Sequence, residues 1–243
     1  MKNRIYEGQR RPVSQLPAHL FGKSAAPAPF TYDPPQEPIT IVHEEAGFLL
    51  VSKPAGLLSV EGKPAEHKDC LERRIRQNYP TASLVHRLDL DTSGLVLIAL
   101  NKATLRHLGL QFERRKTEKI YIATVWGSME QNESQIDQPL ICDWPNRPKQ
   151  MINHEIGKQA ITHWRVLERK QETTRLELRP LTGRSHQLRV HVAHIGHPIL
   201  GDRLYGTEAS RNAAERLMLH AESLSFHHPS DGRWIGFHDP CPF

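Results

Sequence analysis

The stretch HRLDLDTSGLVLIALN, residues 86–101, joins a charged segment directly to an apolar one. Its second half, from Ser93, is a continuous apolar run of the length of one β-strand, and polar residues bound it. Its first half places two carboxylates, Asp89 and Asp91, two positions apart, with strand-like residues before them. The stretch therefore predicts a polar loop between two strands, and this loop presents a carboxylate.

Most of the remaining chain has strand patterns. Short β-branched runs with Gly and Pro between them, at 39–60, predict two strands joined by a turn. Apolar and polar residues alternate in KIYIATVWG (119–127), AITHWRVLER (160–169) and TRLELRPL (174–181), as in half-buried strands. LMLHAESLSFHHP, residues 217–229, predicts a further strand.

Helical patterns are few. CLERRIRQNYP (70–80) predicts a short helix that ends before Pro80, and KATLRHLGLQFERRK (102–116) predicts an amphipathic helix with a basic outer side. SHQLRVHVAHIG (185–196) predicts a helix ended by its glycine. Many strands, few helices and no regular alternation of strand and helix predict an α+β fold: a mixed, largely antiparallel sheet with flanking helices.

Composition narrows the class of protein. The 243 residues are 38% hydrophobic and 24% charged, which is ordinary for a soluble globular protein. No apolar run of 18 residues occurs, and the N-terminus lacks the apolar core of a signal peptide, so we expect a cytoplasmic protein without a membrane partner. The three cysteines are scattered and contain no CxxC pair, which argues against disulfides and a cysteine-rich zinc site.

The charge distribution suggests a polyanionic partner. The formal net charge is +5, and residues 102–119 carry six Lys or Arg against two Glu. Residues 1–38 are rich in Pro and Ala, begin with a basic segment and show no helical or strand period, so we expect a flexible leader there. The ordered domain is expected to span residues 39–243.

The two carboxylates of the opening stretch allow several interpretations. A phosphoryl-transfer motif of the D-x-D-x-T kind would need the threonine one position after Thr92 and a parallel sheet. A glycosidase pair would need carboxyls roughly 5–9 Å apart across a sugar ring. Alternatively, Asp89 caps a turn and Asp91 lies in solvent, or Asp89 is a lone nucleophile held by an arginine.

Four segments together resemble one family. Residues 86–94 resemble the H-R-L-D-x-x-T-S-G motif of the RluA family of pseudouridine synthases. EKIYIATVWG (118–127) resembles the strand that carries the family's tyrosine, and 181–206 resembles its R-x-H-Q-[IL]-R-x-H…G-H-P-I-x-G-D-x-x-Y-G block. SKPAGLLSV (52–60) resembles its K-P-x-G turn. The resemblance covers about 39–243 and implies the pseudouridine synthase catalytic fold.

The resemblance implies a reaction and its residues. Uracil is detached from its ribose, turned and rejoined through C5, which requires no metal, redox cofactor or external energy source. Asp89 is the implied nucleophile and Tyr121 the residue that stacks near the uracil and takes part in proton transfer. Arg184 matches the family's basic position, so we expect its guanidinium to keep Asp89 ionised, while Asp91 falls on a variable position.

The same resemblance suggests how RNA is bound. Arg87 could occupy the space that a flipped uridine leaves, with His86 beside it. Further RNA contacts are expected from basic and aromatic residues, namely Arg114, Arg115, Lys116, Trp144, Arg147 and Lys149. PPQEP (34–38), EHKD (66–69) and PLICDWPNRPKQ (139–150) resemble a dual-specificity member that acts on 23S rRNA and tRNA anticodon stem-loops.

The sequence thus predicts a monomeric RNA pseudouridine synthase without a metal or cofactor. The histidines of the 181–206 segment lack the neighbouring carboxylates that a metal site would need. The alternative is a catalytically silent RNA-binding or ribosome-assembly protein of the same fold.

Overall fold

Twelve strands and four α-helices lie within residues 31–243, the part of the chain that this computed structural model describes. The strands are β1 (Thr40–Glu44), β2 (Phe48–Lys53), β3 (Ser83–Leu84), β4 (Ser93–Ala99), β5 (Glu118–Trp126), β6 (Glu133–Asp137), β7 (Leu140–Cys142), β8 (Gln150–Ile152), β9 (Ile161–Arg169), β10 (Thr173–Pro180), β11 (Leu219–His227) and β12 (Trp234–His238). The helices are α1 (Leu71–Arg76), α2 (Lys102–Glu113), α3 (Gln187–His194) and α4 (Glu208–Asn212).

Ten of these strands form one mixed sheet. Its order is β1-β2-β4-β11-β5-β10-β9-β6, with β3 also paired to β4 and β12 to β11. All of its pairings are antiparallel except that of β4 with β11. Strands β7 and β8 form a separate antiparallel pair. The predicted α+β class with a largely antiparallel sheet is confirmed.

The parallel pairing joins the two halves of the sheet directly after the polar loop. Gly94 lies opposite Ala221 and has a φ of +111°, a conformation that glycine adopts without strain. A Cβ atom at Gly94 would lie 2.3 Å from the carbonyl oxygen of Ala221. Beside it, the Ser93 hydroxyl and His220 Nδ1 are 2.8 Å apart. The glycine therefore allows the close approach that places Asp89 where the halves meet.

Strand β4 is buried on both faces. Val96 and Ile98 pack into the cluster around α1, whereas Leu95 and Leu97 pack on the other face with Leu108 of α2. This explains why residues 93–101 are a continuous apolar run, since alternation is typical of strands with one face in water. A third apolar cluster joins β5, β10 and β11 to α3.

Several short elements did not follow from the sequence patterns. Strand β6 has four exposed residues among its five, so its sequence carries no apolar period.

The leader was predicted to span residues 1–38, and residues 1–30 of it lie outside the part of the chain that the structure describes. In the remainder, the Tyr32 hydroxyl donates a hydrogen bond to the carbonyl oxygen of Asp69. No helix within residues 31–243 is long and apolar enough to cross a membrane.

Candidate active site

The polar loop between β3 and β4 opens onto a groove of about 2010 Å³. Its lining includes Asp89, Tyr121, residues 180–189 and the segment 145–150 that joins β7 to β8. Pockets for small ligands usually measure roughly 300–1,000 Å³. The groove exceeds that range, so it is large enough to hold part of a polymeric ligand.

Asp89 is paired with a buried arginine. Its side chain is 27% exposed, and its Oδ2 lies 3.6 Å from Nη1 of Arg189 in α3. Arg189 donates Nε and Nη2 to the two carboxylate oxygens of Asp202, at 2.8 and 2.7 Å. Burial alone would lower the pKa of Arg189, but the hydrogen bonds and charge of Asp202 raise it overall. The guanidinium is thus fixed by one carboxylate and offers its remaining nitrogen to the other.

Arg184 does not make the predicted ion pair with Asp89. Its Nε donates instead to the carbonyl oxygen of Gln159 at 3.0 Å, although its side chain lines the same groove. The chain adopts a left-handed conformation at His186, with φ of 54°, immediately before α3 begins. The first turn of the helix then directs Arg189, five residues after Arg184, at Asp89. The expectation that Arg184 pairs with Asp89 was therefore wrong.

Tyr121 lies at the centre of the sheet on β5, with Leu178 and Ala221 as its neighbours on the two adjacent strands. Its side chain also lines the groove that holds Asp89. Burial, and next the negative charge of Asp89, raise the pKa of the phenol above its ordinary value. The Tyr121 hydroxyl is consequently protonated at neutral pH.

A buried lysine holds the Asp89 loop in place. The Lys53 ammonium donates three hydrogen bonds of 2.7–2.9 Å, to the carbonyl oxygens of Pro54, Leu57 and Leu90. Burial lowers the pKa of Lys53 to about 7, although the charges of Asp91 and Asp89 oppose that shift. The sequence showed the K-P-x-G turn but not this link between the turn and the loop.

A second connection reaches Asp89 from the β7–β8 pair. The Tyr205 hydroxyl accepts a hydrogen bond from the backbone N–H of Gln150 and lies 2.7 Å from Nδ1 of His186. Because the hydroxyl can donate its hydrogen to Nδ1, the His186 proton is placed on Nε2, 4.0 Å from Asp89 Oδ2. Burial lowers the pKa of His186, which keeps the ring neutral. The sequence analysis considered His186 only among the histidines weighed as metal ligands, and it assigned no role beside Asp89 to either His186 or Tyr205.

The predicted RNA-binding residues near the loop differ in their surroundings. Arg87 is exposed at the groove. His86 accepts a hydrogen bond from the backbone N–H of Leu97 through Nε2 and stacks on Phe112 at 4.7 Å. Burial, with a smaller contribution from Lys119, lowers the pKa of His86 to about 3, so its ring is neutral. Its contacts support β4 and α2, and its predicted RNA contact stays a prediction.

The other predicted RNA-binding residues lie on two sides of the groove. Arg115, Arg147 and Lys149 line it. Arg114 and Lys116 are exposed on either side of Arg115. The Arg147 guanidinium lies over the Trp144 ring, 4.8 Å from its centre. The structure thus brings the two basic segments to one groove with Asp89.

Three further polar residues of the two motifs have partners within the fold. Asp91 forms an ion pair with Arg203 at 2.9 Å. His191 contacts the Thr162 hydroxyl and the Gln138 carbonyl, and His197 lies 2.8 Å from the carbonyl oxygen of Trp126. Within residues 31–243, no cluster of three or more His, Cys, Asp or Glu has a geometry suited to a metal ion.

Comparison with known proteins identifies the class to which this fold and groove belong, a class of RNA-modifying isomerase. Residues 47–194 match the family model described as RNA pseudouridylate synthase. The chain belongs to this family, whose members are isomerases. Both the predicted family and the predicted enzyme class are confirmed.

Individual relatives cover most of the chain. The Dual-specificity RNA pseudouridine synthase RluA of Escherichia coli (strain K12) is 50% identical over 214 residues, covering 87% of this chain and 98% of its own. A protein of the same name from Vibrio parahaemolyticus is 50% identical over 218 residues, with 87% of each chain covered. The solved structure of Human RNA Pseudouridylate Synthase Domain Containing 1 matches with a TM-score of 0.71 and 30% identity over 87% of both chains.

Proposed function

We propose that this isomerase converts uridines of 23S rRNA and of a tRNA anticodon stem-loop to pseudouridine, with Asp89 as the nucleophile. The observation that carries the proposal is the Asp89–Arg189–Asp202 arrangement, in a groove large enough for part of an RNA chain. The relatives at 50% identity, which are named dual-specificity RNA pseudouridine synthases, support the choice of substrates.

The isomerisation places two demands on Asp89. The C1′–N1 bond breaks, a C1′–C5 bond forms, N1 gains a proton and C5 loses one. Asp89 must be ionised whether it attacks C1′, attacks the ring or assists a glycal route. It must also stay in place while the base turns. Arg189 serves both needs, because it is itself held by two hydrogen bonds to Asp202.

Tyr121 is the proposed partner of the uracil. Its protonated phenol is suited to donating a hydrogen bond and offers a flat face for the base. Because its pKa is raised, the free phenol is a poor base at neutral pH. We therefore assign it the positioning of the turned base, through its flat face and the hydrogen bond that its phenol donates.

RNA recognition is assigned to the exposed residues around the groove. Turning a uridine out of its stack costs a few kcal/mol. We assign Arg87, which is exposed at the groove, to the space that the base leaves. The segment that joins β7 to β8 and the basic end of α2 are assigned to the RNA backbone and unpaired bases. With such substrates, we propose that the protein acts in the cytoplasm and as a monomer.

Tritium release from 5-³H-uridine-labelled tRNA and rRNA fragments tests the reaction, because a new bond at C5 must expel that hydrogen. We expect release by the parent protein and by Asp91→Asn, a matched control two residues away, but none by Asp89→Asn. If Asp89→Asn releases tritium at the parent rate, the nucleophile is assigned wrongly. If no protein releases tritium while RNA binding persists, the silent RNA-binding alternative is correct.

A further inference from the structure

Three cations from separate elements line the groove near Tyr121. Arg115 follows the end of α2, Lys119 lies on β5, and Arg184 lies in the loop between β10 and α3. We call these three residues the cationic cluster. In the part of the chain that the structure describes, no carboxylate oxygen lies within 4.0 Å of any of them. By contrast, Arg189 and Arg203, which line the same groove, are each paired with an aspartate.

Lys119 is the member of the cluster that is both partly buried and, among the described residues, without a hydrogen-bond acceptor for its ammonium. It lies 4.0 Å from the position that a Cβ atom would occupy at Gly183. Burial, with a smaller contribution from Arg115, lowers the pKa of Lys119 to about 8. An ammonium in this position lacks the counter-charge that partly buried cations normally have.

The backbone conformation at Arg115 is a second observation that points to a role for this residue. Its φ is 57°, in the left-handed region, and Lys116 N–H donates to the Gln111 carbonyl at 2.8 Å. Glycine is the usual residue at this position of a helix end, because it adopts the conformation without strain. Strained residues of this kind concentrate at functional sites. Here the strain places a long cationic side chain at the groove.

We propose that Arg115, Lys119 and Arg184 bind one backbone phosphate of the RNA, adjacent to the uridine that is modified. The proposal rests on the proposed function and adds a specific anion site to it. Lys119 and Tyr121 project from the same face of β5, since they are two residues apart, and their Cα atoms are about 7 Å apart along the strand. A nucleotide whose base contacts Tyr121 therefore brings a neighbouring phosphate to Lys119.

The site makes RNA binding depend on pH. A phosphate favours the charged ammonium, so RNA binding takes up a proton where free Lys119 is neutral. Arg115 and Arg184 contribute guanidinium groups from other elements, and a guanidinium group does not lose its proton in proteins. His86 stays neutral there, as does Tyr121 on the same strand. With a pKa of about 8, the charged fraction of free Lys119 falls about tenfold from pH 7 to 9.

Tritium-release kinetics at pH 7, 8 and 9 test the site. We expect the parent KM to rise by up to about tenfold across this range. Because Lys53, beside the Asp89 loop, also titrates there, the kcat of each variant is compared with that of the parent at the same pH. Lys119→Arg, whose charge does not titrate, should show a flat KM. Lys119→Met should raise KM about tenfold at pH 7 and remove its dependence on pH. Lys170→Met, which removes a lysine from the β9–β10 turn, is the matched control.

Two further measurements separate the site from the chemistry. In binding assays, Lys119→Met should make the dependence of log affinity on log salt concentration less steep by about 0.7–0.9, whether or not the RNA is turned over. A methylphosphonate next to the target uridine removes the charge of one phosphate. The parent should bind this modified RNA more weakly than unmodified RNA, whereas Lys119→Met should bind the two RNAs equally. A parent KM that does not depend on pH, or an unchanged salt slope, would overturn the phosphate site. Absence of tritium release by the parent, with these salt slopes intact, would overturn only the proposed reaction.

Discussion

Replacing Arg189 with methionine removes the cation that Asp89 and Asp202 share. Arg189 is 3% exposed, and the side chain of Asp202 is fully buried. After the substitution, Asp202 keeps only the backbone N–H donors of Leu204 and Tyr205 and loses both guanidinium hydrogen bonds. The variant therefore leaves a buried carboxylate without its counter-charge.

Breaking a buried ion pair from one side costs about 3–5 kcal/mol, mainly through the charge that is left behind. For a domain of this size, each kcal/mol lowers Tm by about 2–4 °C, so Arg189→Met should melt roughly 6–20 °C below the parent. Tritium release should fall by about 10² or more, because Asp89 loses the guanidinium beside it. Thermal melts and tritium release are measured on the same samples.

Two variants make the reasoning refutable. Arg189→Met combined with Asp202→Leu removes both charges, so it should recover much of the lost Tm while tritium release stays at the low level of Arg189→Met. Arg184→Ala removes a single hydrogen bond to a backbone carbonyl and should lower stability by about 1 kcal/mol or less. If Arg189→Met melts like Arg184→Ala, or if the double variant is active, the assignment of Arg189 is refuted.

The other predictions concern the supports of the site. Tyr205→Phe, which cannot fix the His186 tautomer, should lower kcat several-fold; rates equal to the parent would show that this chain of contacts does not matter to Asp89. The pKa of the buried Lys53 is about 7, below its ordinary value of 10.5. Between pH 7 and 10.5 the Lys53 side chain therefore carries a proton in the unfolded chain but not in the folded one, and the free energy of unfolding of the parent rises with pH. Denaturant unfolding at pH 7 and 9 should show a smaller rise in the free energy of unfolding for Lys53→Met than for the parent. An identical rise would contradict the lowered pKa of Lys53. Gly94→Ala should prevent the two halves from joining, because its Cβ would meet Ala221, and a parent-like Tm would exclude that close approach.

Local patterns in the sequence were enough for the fold class and for the polar loop that carries Asp89. The apolar run after Ser93 predicted a strand, and the polar motif before it placed Asp89 on a loop. Both depend on residues close together in the chain, where period and composition are informative. The helix over residues 185–196 was predicted for the same reason, and Gly196, with φ of +88°, follows its end.

Contacts between distant segments were decided only by the tertiary structure. The pairing of β4 with β11 joins residues more than a hundred positions apart, and no local pattern encodes that register. The left-handed turn at His186 decides that Arg189, and not Arg184, reaches Asp89. Likewise, Lys119 became notable only once folding had left it without a carboxylate partner. Spacing in the sequence shows which residue types could form a site. The direction in which each side chain points depends on how separate elements pack together.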